Sequence, residues 1–392
     1  MPTRAAQAPE DLALYVHLPW CVRKCPYCDF NSHQSPQELP VAAYVRALAA
    51  DLDHDLARWP GLALRPVTSV FFGGGTPSLF PPSAIADILA HASHRLDLAA
   101  DAEITLEANP GTSEHGRFEG YRQAGVNRIS LGVQSFDDAQ LQRLGRIHGA
   151  AEARTAAESV AAVFERFNLD LMYALPGQDL AGALADLEQA LALAPGHLSH
   201  YQLTLEPNTA FAARPPSGLP DDDLAAAMMD ACLARLADAG YRHYETSAHA
   251  LPGQSCRHNL NYWGYGDFLG IGAGAHGKLT LEGQVRRRWK LRHPRAYMAA
   301  AGGPDAVGGD DALAAADLPF DFLLNALRLA DGVPAALFET RTGLPLAAIE
   351  PTLATARARG LLAPDPDRLV ATELGQRFQN DLLTLFLPEA RR

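Results

Sequence analysis

The chain has 392 residues, of which 48% are hydrophobic and 20% are charged, and its formal net charge is −12. This composition excludes an intrinsically disordered chain, and the length predicts one large domain with a smaller one. The excess of acidic residues argues against nucleic acid or an anionic membrane surface as the partner.

Short apolar segments alternate with helical segments along the first two thirds of the chain. The predicted strands are 12–19, 69–74, 103–109, 128–135, 168–175 and 198–205. The predicted helices are 41–59, 83–96, 113–123, 151–164, 180–193 and 221–239. Ser83 and Asp221 fit helix N-caps, and Gly125 and Gly240 fit helix ends. Six consecutive strand–helix units predict a parallel sheet with right-handed crossovers. Because a closed barrel of the TIM type needs eight units, we predict an α/β fold with a partial (β/α)6 barrel.

The residue pattern changes after residue 245 and again after residue 310. Residues 246–310 are rich in aromatic, glycine and basic residues and show no long helical period. The remaining residues are helical again, with a pattern that fits a small β-ribbon. We therefore predict a polar tail (1–10), a partial barrel (11–245), a connecting segment (246–310) and a mostly helical, winged-helix-like C-terminal domain (311–392).

The cysteines favour a reducing compartment. Their number is odd, and the positions are Cys21, Cys25, Cys28, Cys232 and Cys256. Three cysteines so close together are typical of a metal or cluster site, not of a disulfide framework. The N-terminus lacks the apolar region of a signal peptide, and no apolar run is long enough to span a bilayer. We expect a cytoplasmic protein with no membrane segment.

The motif C-x3-C-x2-C directly follows the first predicted strand. Three thiolates on one loop can bind three irons of a [4Fe–4S] cluster, which leaves the fourth iron open to a small-molecule chelator. Structural zinc is the alternative, but it needs a fourth ligand, for which the nearest candidate is His33. The paired C-x2-C units that usually hold such a zinc ion are absent from the sequence.

Polar or glycine-rich clusters follow each predicted strand, and in a parallel barrel these strand ends share one rim. The glycines of Gly-Gly-Gly-Thr-Pro at 73–77 allow a close backbone approach. Glu107 and Asp170 can accept from a ribose or an amine, Gln134 can donate and accept, and Arg146 can pair with a carboxylate. Together these groups suit a zwitterionic nucleoside, although each residue taken singly also fits a turn, a cap or a surface ion pair.

Five motifs resemble the radical-SAM family of oxygen-independent coproporphyrinogen dehydrogenases and their relatives. They are C-x3-C-x2-C, GGGTP, EANPG (107–111), GVQSF (132–136) and LGRIH (144–148). The resemblance covers nearly the whole chain. It implies a cluster on Cys21, Cys25 and Cys28, with S-adenosylmethionine (SAM) chelating the open iron. One electron from the reduced cluster would cleave SAM to methionine and a 5′-deoxyadenosyl radical.

The resemblance also implies which residues bind SAM. Gly74, Gly75 and Thr76 match positions that contact its methionine part. The other matching positions are Tyr15, Tyr27, Glu107, Gln134, Arg146 and Asp170. No catalytic residue is assigned.

Phe30 departs from the pattern of the dehydrogenases, C-x3-C-x2-C-x-C, which has a further cysteine at that position. The N-terminal tail is also shorter than theirs. Both differences favour the heme-chaperone branch of the family, so heme, an acceptor hemoprotein and an electron donor for the cluster are the implied partners. The acceptor could be membrane-associated. The dehydrogenase is the runner-up, followed by a tRNA- or protein-modifying radical-SAM enzyme and a zinc-stabilised binding module.

Two segments could serve heme. In Cys-Arg-His-Asn-Leu-Asn-Tyr-Trp (256–263), His258 fits an iron ligand, and the aromatic residues could stack on the macrocycle. Alternatively, His258 bonds a backbone carbonyl while the aromatic residues pack over the barrel. Cys256 and His276 are weaker candidates for the ligand. In the basic segment 286–295, arginines could pair with heme propionates or with the acidic excess of the chain.

Overall fold

The computed structural model describes residues 5–111 and 115–388. The strands are β1 (Leu12–Leu18), β2 (Trp20–Cys21), β3 (His33–Gln34), β4 (Pro66–Gly74), β5 (Asp97–Ala108), β6 (Arg128–Gln134), β7 (Phe167–Tyr173), β8 (His197–Gln202), β9 (Arg242–Glu245), β10 (Ala248–Ala250), β11 (Asp267–Ile271), β12 (His276–Leu281), β13 (Gln284–Lys290), β14 (Val307–Ala312), β15 (Val333–Pro334) and β16 (Arg368–Leu369). The helices are α1 (Val41–Arg58), α2 (Pro82–Arg95), α3 (Phe118–Gln123), α4 (Asp138–Arg143), α5 (Ala150–Val163), α6 (Leu180–Ala192), α7 (Ala210–Ala213), α8 (Asp222–Asp238), α9 (Arg257–Trp263), α10 (Pro294–Ala300), α11 (Leu318–Ala326), α12 (Ala335–Thr342), α13 (Glu350–Ala358), α14 (Glu373–Arg377) and α15 (Gln379–Thr384).

One 12-stranded sheet forms the centre of the fold, in the order β14-β13-β12-β11-β1-β4-β5-β6-β7-β8-β10-β9. Strands β1 and β4 to β8 are parallel neighbours in chain order, which confirms the predicted partial barrel. Strand β1 is buried on both faces, as expected for a parallel strand covered by helices. The barrel stays open because the second edge of β1 pairs with β11 and not with β8.

The helix ends follow the sequence signals with one exception. The Asp221 side chain accepts from Leu224 N at 2.9 Å and caps α8. Gly125 and Gly240 have φ angles of 106° and 84° just after α3 and α8. The predicted N-cap at Ser83 was wrong, because α2 begins at Pro82 and its N-cap position is Pro81. Proline suits the first helical position, where no N–H is needed. The predicted start of the third helix, Ser113, lies outside the described residues.

The connecting segment 246–310 contributes more strands to the central sheet than the sequence suggested. It supplies β11, a seventh parallel strand beside β1, and the antiparallel strands β12, β13 and β14. These strands are short and separated by glycines, so their period is hard to read from the sequence. The boundaries between the predicted regions stay a prediction.

The C-terminal domain is mostly helical, as predicted. Helices α11 to α15 enclose a core in which Phe322, Phe338 and Leu353 are completely buried. The short strands β15 and β16 pair as an antiparallel ribbon. Tyr265 and Val285 contribute to the same core, so the domain packs against the β13 side of the sheet. Among the described helices, none has the length and apolar composition needed to cross a membrane.

Candidate functional site

The cysteine loop runs from the end of β1 toward α1 and lies at the rim of the barrel. Its three thiols, all partly exposed, line a cavity of about 140 Å³ together with the ends of β4 to β7. The predicted residues on the same walls are Tyr27, Gly74, Gly75, Thr76, Glu107, Gln134, Arg146 and Asp170. Tyr15 lines an adjacent cavity that shares Gly74 and Glu107 with the first. The structure therefore brings together the cluster and SAM residues expected from the sequence.

The glycine triplet presses the end of β4 against the cysteine loop. Gly75 N donates to Leu18 O at 2.9 Å, and Thr76 N donates to Trp20 O at 2.8 Å. A Cβ atom at Gly75 would lie 2.6 Å from Trp20 O, so only glycine permits this approach. Gly74 has a φ of 111°, which a side chain would strain. The close approach predicted from the sequence is thus an approach to the backbone that carries the cysteines.

Arg146 brings a positive charge to the thiols. Its Nη1 donates to Cys25 Sγ at 3.6 Å, and its Nη2 donates to Asn109 Oδ1 and Gly132 O, both at 2.6 Å. Burial, followed by the nearby cysteines, raises the pKa of the Cys21 thiol. Thiolates at this rim therefore need positive charge, which Arg146 supplies in part and bound iron ions would supply in full.

The donor set fits a cluster better than a zinc ion. The candidate fourth zinc ligand, His33, has its Nε2 3.2 Å from Arg292 O and its ring edge-on to His293. Within residues 5–111 and 115–388, no three or more His, Cys, Asp or Glu side chains are close enough to hold one metal ion. Three thiols without a fourth protein ligand fit a [4Fe–4S] cluster with one open iron.

Two carboxyl groups line the cavity and form no ion pair with a described residue. Glu107 Oε2 accepts from Gly74 N at 3.2 Å, and Asp170 Oδ1 accepts from Asn168 Nδ2 at 2.7 Å. Burial and then the neighbouring Asp170 raise the pKa of Glu107 to about 8, and burial also raises the pKa of Asp170. A ligand that brings an ammonium group or ribose hydroxyls would relieve this unfavourable environment.

Gln134, Tyr27 and Tyr15 complete the predicted set. Gln134 ends β6 with a φ of 74°, a strained value for a residue other than glycine, and its Oε1 accepts from the Tyr201 hydroxyl at 2.9 Å. The Tyr27 ring packs at 6.3 Å from Phe211, beside the loop. The Tyr15 hydroxyl lies 3.0 Å from His17 Nδ1.

Sequence reasoning did not assign two further residues of this site. Asn109 donates to Thr76 Oγ1 at 2.8 Å and accepts from Arg146, so it connects the β4 end to the guanidinium. Its place in the EANPG motif could have indicated it. Tyr201 on β8 also lines the cavity, but nothing in its strand distinguishes it from a packing residue.

Comparisons with known proteins agree with this geometry. The model of the radical SAM superfamily matches residues 15–190, and the model of the HemN C-terminal domain matches residues 313–378. The heme chaperone HemW of Escherichia coli (strain K12) is 51% identical over 96% of this chain and 98% of its own length. HemW of Haemophilus influenzae is 48% identical over the same shares. The chain belongs to the HemW family.

The chaperone branch predicted from the sequence is therefore confirmed over the dehydrogenase branch. A solved coproporphyrinogen III oxidase (HemN) from Escherichia coli superposes with a TM-score of 0.80 at 23% identity, covering 98% of this chain and 91% of that one. At this identity the likeness shows the fold alone. It supports the radical SAM barrel and the C-terminal domain described above.

His258 of this HemW-family chain lies below the rim and not beside the cysteines. It is 4% exposed, its Nδ1 is 3.0 Å from Ser69 Oγ in the first half of β4, and its ring stacks on Phe71 at 5.0 Å. No described residue bonds its buried Nε2. Burial lowers the pKa of His258 to about 3. The partner is a hydroxyl instead of the backbone carbonyl considered above, and the role of His258 as iron ligand stays a prediction.

Most of the cations in the basic segment 286–295 form ion pairs within the chain. Each of its first four cations contacts a carboxylate: Arg286 with Asp310, Arg287 with Asp321, Arg288 with Asp55, and Lys290 with Asp51 and Asp55. Arg286 and Arg288 thus pair with the acidic excess of the chain, as the alternative interpretation had it, and the hypothesis that arginines of this segment bind heme propionates stays a prediction. Among the described residues, Arg292 has no carboxylate at ion-pair distance.

Glu107 predicts an unusual pH dependence of stability for the chain without SAM. Its carboxyl protonates more readily in the folded than in the unfolded chain, so this residue costs stability as pH rises from about 4.5 to about 8. We expect Glu107→Gln to raise the melting temperature at pH 8 and to change it little near pH 4.5. Thermal unfolding by circular dichroism measures both. The control Glu158→Gln, at an exposed position of α5, should leave the melting temperature unchanged at both pH values. An effect of Glu107→Gln that does not depend on pH would contradict the expectation.

Proposed function

We propose that this chain holds a [4Fe–4S] cluster on Cys21, Cys25 and Cys28, binds SAM beside it, and binds heme for delivery to an acceptor hemoprotein. The observation that carries the proposal is the 51% identity to a HemW heme chaperone over 96% of the chain. The three-thiol loop and the polar groups that line the cavity with it support the radical SAM part. Heme and its acceptor are inferred from the similarity to heme chaperones.

We assign the residues that line the cavity to different chemical groups of SAM. Gly74, Gly75 and Thr76 border the methionine part, and the carboxyls of Glu107 and Asp170 attract an ammonium or ribose hydroxyls. Arg146 offsets the negative charge of the thiolates. Tyr15, Tyr27 and Gln134 complete the proposed contacts. When bound, the reduced cluster supplies the electron that cleaves SAM, which requires a separate electron donor.

Phe30 supports the chaperone over the coproporphyrinogen dehydrogenase. It occupies the position at which the pattern of the dehydrogenases has a further cysteine, and a phenyl group cannot ligate iron. Its side chain is 61% exposed beside the cysteine loop. A tRNA-modifying enzyme loses its main support, because most cations of the basic segment are paired with carboxylates. A cytoplasmic location and a membrane-associated acceptor stay predictions.

An anaerobic heme titration tests the proposal. The full chain is reconstituted with iron and sulfide, titrated with hemin, and then mixed with apomyoglobin as acceptor, while a parallel sample receives SAM, a reductant and coproporphyrinogen. We expect a saturable Soret band, transfer of the heme to apomyoglobin, and no loss of coproporphyrinogen. Consumption of coproporphyrinogen without heme binding would favour the dehydrogenase.

A further inference from the structure

A cavity of about 550 Å³ opens beside the cysteine loop, and most of its lining residues are assigned to neither the cluster nor SAM. Its walls include Phe30, Tyr262, His276, Trp289 and Arg292. It also reaches Glu107, which lines the cluster cavity. The volume lies in the range of cofactor sites, roughly 300–1,000 Å³.

We propose that heme binds in this cavity, with the His276 imidazole as axial iron ligand and Arg292 paired with a propionate. The assignment rests on the proposed function, because it locates the heme that a chaperone must carry. It differs from the assignment of His258 considered from the sequence.

His276 has the free imidazole that an iron ligand needs. It begins β12, its side chain is exposed, and no described residue bonds its ring nitrogens. The other histidines near the cavity are engaged: His17 Nε2 is 3.0 Å from Asn31 O, and His33 Nε2 is 3.2 Å from Arg292 O. Partial desolvation and the nearby Arg292 and Arg287 lower the pKa of His276, which favours the neutral ring with its lone pair available.

Aromatic surfaces flank this imidazole. Trp289 is the cross-strand partner of His276, and the two rings stack with centroids 6.2 Å apart. Gly308 and Gly309 on β14 leave room for the indole, because a Cβ atom at either position would collide with it. Phe30 exposes an apolar ring beside the cavity, and exposure of an apolar ring to water is unfavourable. A flat apolar ligand that covers the ring would remove this exposure.

Arg292 supplies the charge that a propionate needs. Arg286, Arg287, Arg288 and Lys290 all contact carboxylates, whereas Arg292 is exposed and contacts none among the described residues. A guanidinium that is free of an internal partner can accept a carboxylate in a bidentate pair. The cavity lining also contains two acidic residues, Asp29 and Glu107.

Hemin titration of the reconstituted full chain and its variants tests this assignment. We expect His276→Ala to weaken hemin binding about tenfold or more and to shift the Soret maximum, since the axial bond is lost. Arg292→Ala should weaken binding by a smaller factor without shifting the maximum. His94→Ala, on an exposed position of α2, is the matched control and should change nothing. Added imidazole should restore the original spectrum in His276→Gly, which a merely structural role would not produce.

The outcomes separate the two proposals. Hemin binding that His276→Ala leaves within a factor of about two, with an unchanged Soret maximum, would overturn this assignment while the chaperone function stands. If His258→Ala abolished the band instead, the iron ligand would be His258. If the unaltered chain bound no hemin at all, both the assignment and the proposed function would fall.

Discussion

Replacing Cys25 with alanine is expected to leave the chain without its cluster. Three thiolates hold three irons, and loss of one removes both a ligand and the group that Arg146 contacts at 3.6 Å. After anaerobic reconstitution, the Cys25→Ala variant should contain little iron and acid-labile sulfide and should lack the broad absorbance of a [4Fe–4S] cluster. Iron and sulfide analysis with visible spectra measures this.

Cys232→Ala is the matched control for this variant. Cys232 is a completely buried thiol on α8 that packs in the main core, so its replacement changes packing but no proposed ligand. We expect full iron content in this control. Equal iron loss in both variants would mean that the cysteine loop does not hold the cluster.

Replacing Lys290 with methionine is expected to destabilise the fold by about 3–5 kcal/mol, because it leaves the buried Asp51 without its cation and Asp55 with Arg288 alone. Lys290 is 1% exposed on β13, and its ammonium contacts both Asp51 and Asp55 of α1. Methionine keeps the apolar stem of the side chain and removes the ammonium group with its hydrogen bonds to Asp51 and Asp55. Urea unfolding followed by circular dichroism measures the loss.

Arg286→Ala provides the comparison for Lys290→Met. Arg286 is on the same strand and pairs with Asp310 at 2.8 Å, but its side chain is 25% exposed. Partly solvated pairs contribute about 0–1 kcal/mol, so this variant should unfold at nearly the same urea concentration as the unaltered chain. A loss as large as that of Lys290→Met would contradict the role given to burial.

The rim of the barrel could be predicted from the sequence because parallel strands end on the same side. The residues that follow β1, β4, β5 and β6 are far apart in sequence, yet the regular strand–helix alternation alone placed them together. The cysteine spacing and the motifs around it indicated the chemistry. These are local signals, which a single sequence preserves.

Other features depended on contacts that local patterns do not encode. Arg288 and Lys290 pair with carboxylates more than 200 residues earlier, so local patterns could not show that their charges are already paired. The environment of His258 on helix α9 depends on Ser69 and Phe71 of strand β4, which is far away in the sequence. Strand β11 looked like part of a linker because its pairing with β1 joins distant parts of the chain.

The pairing of β1 with β11 also constrains the order of folding. Asn31, in the cysteine loop, donates to Ala273 O and Arg292 O, and the first of these contacts spans 242 residues of chain. During synthesis the cysteines emerge early, but the strand and carbonyl groups that hold their loop emerge much later. In a nascent chain the segment that carries the three thiols therefore lacks these tertiary contacts until β11 has been made. The contacts that hold the cysteine loop can therefore form only after most of the protein has been made.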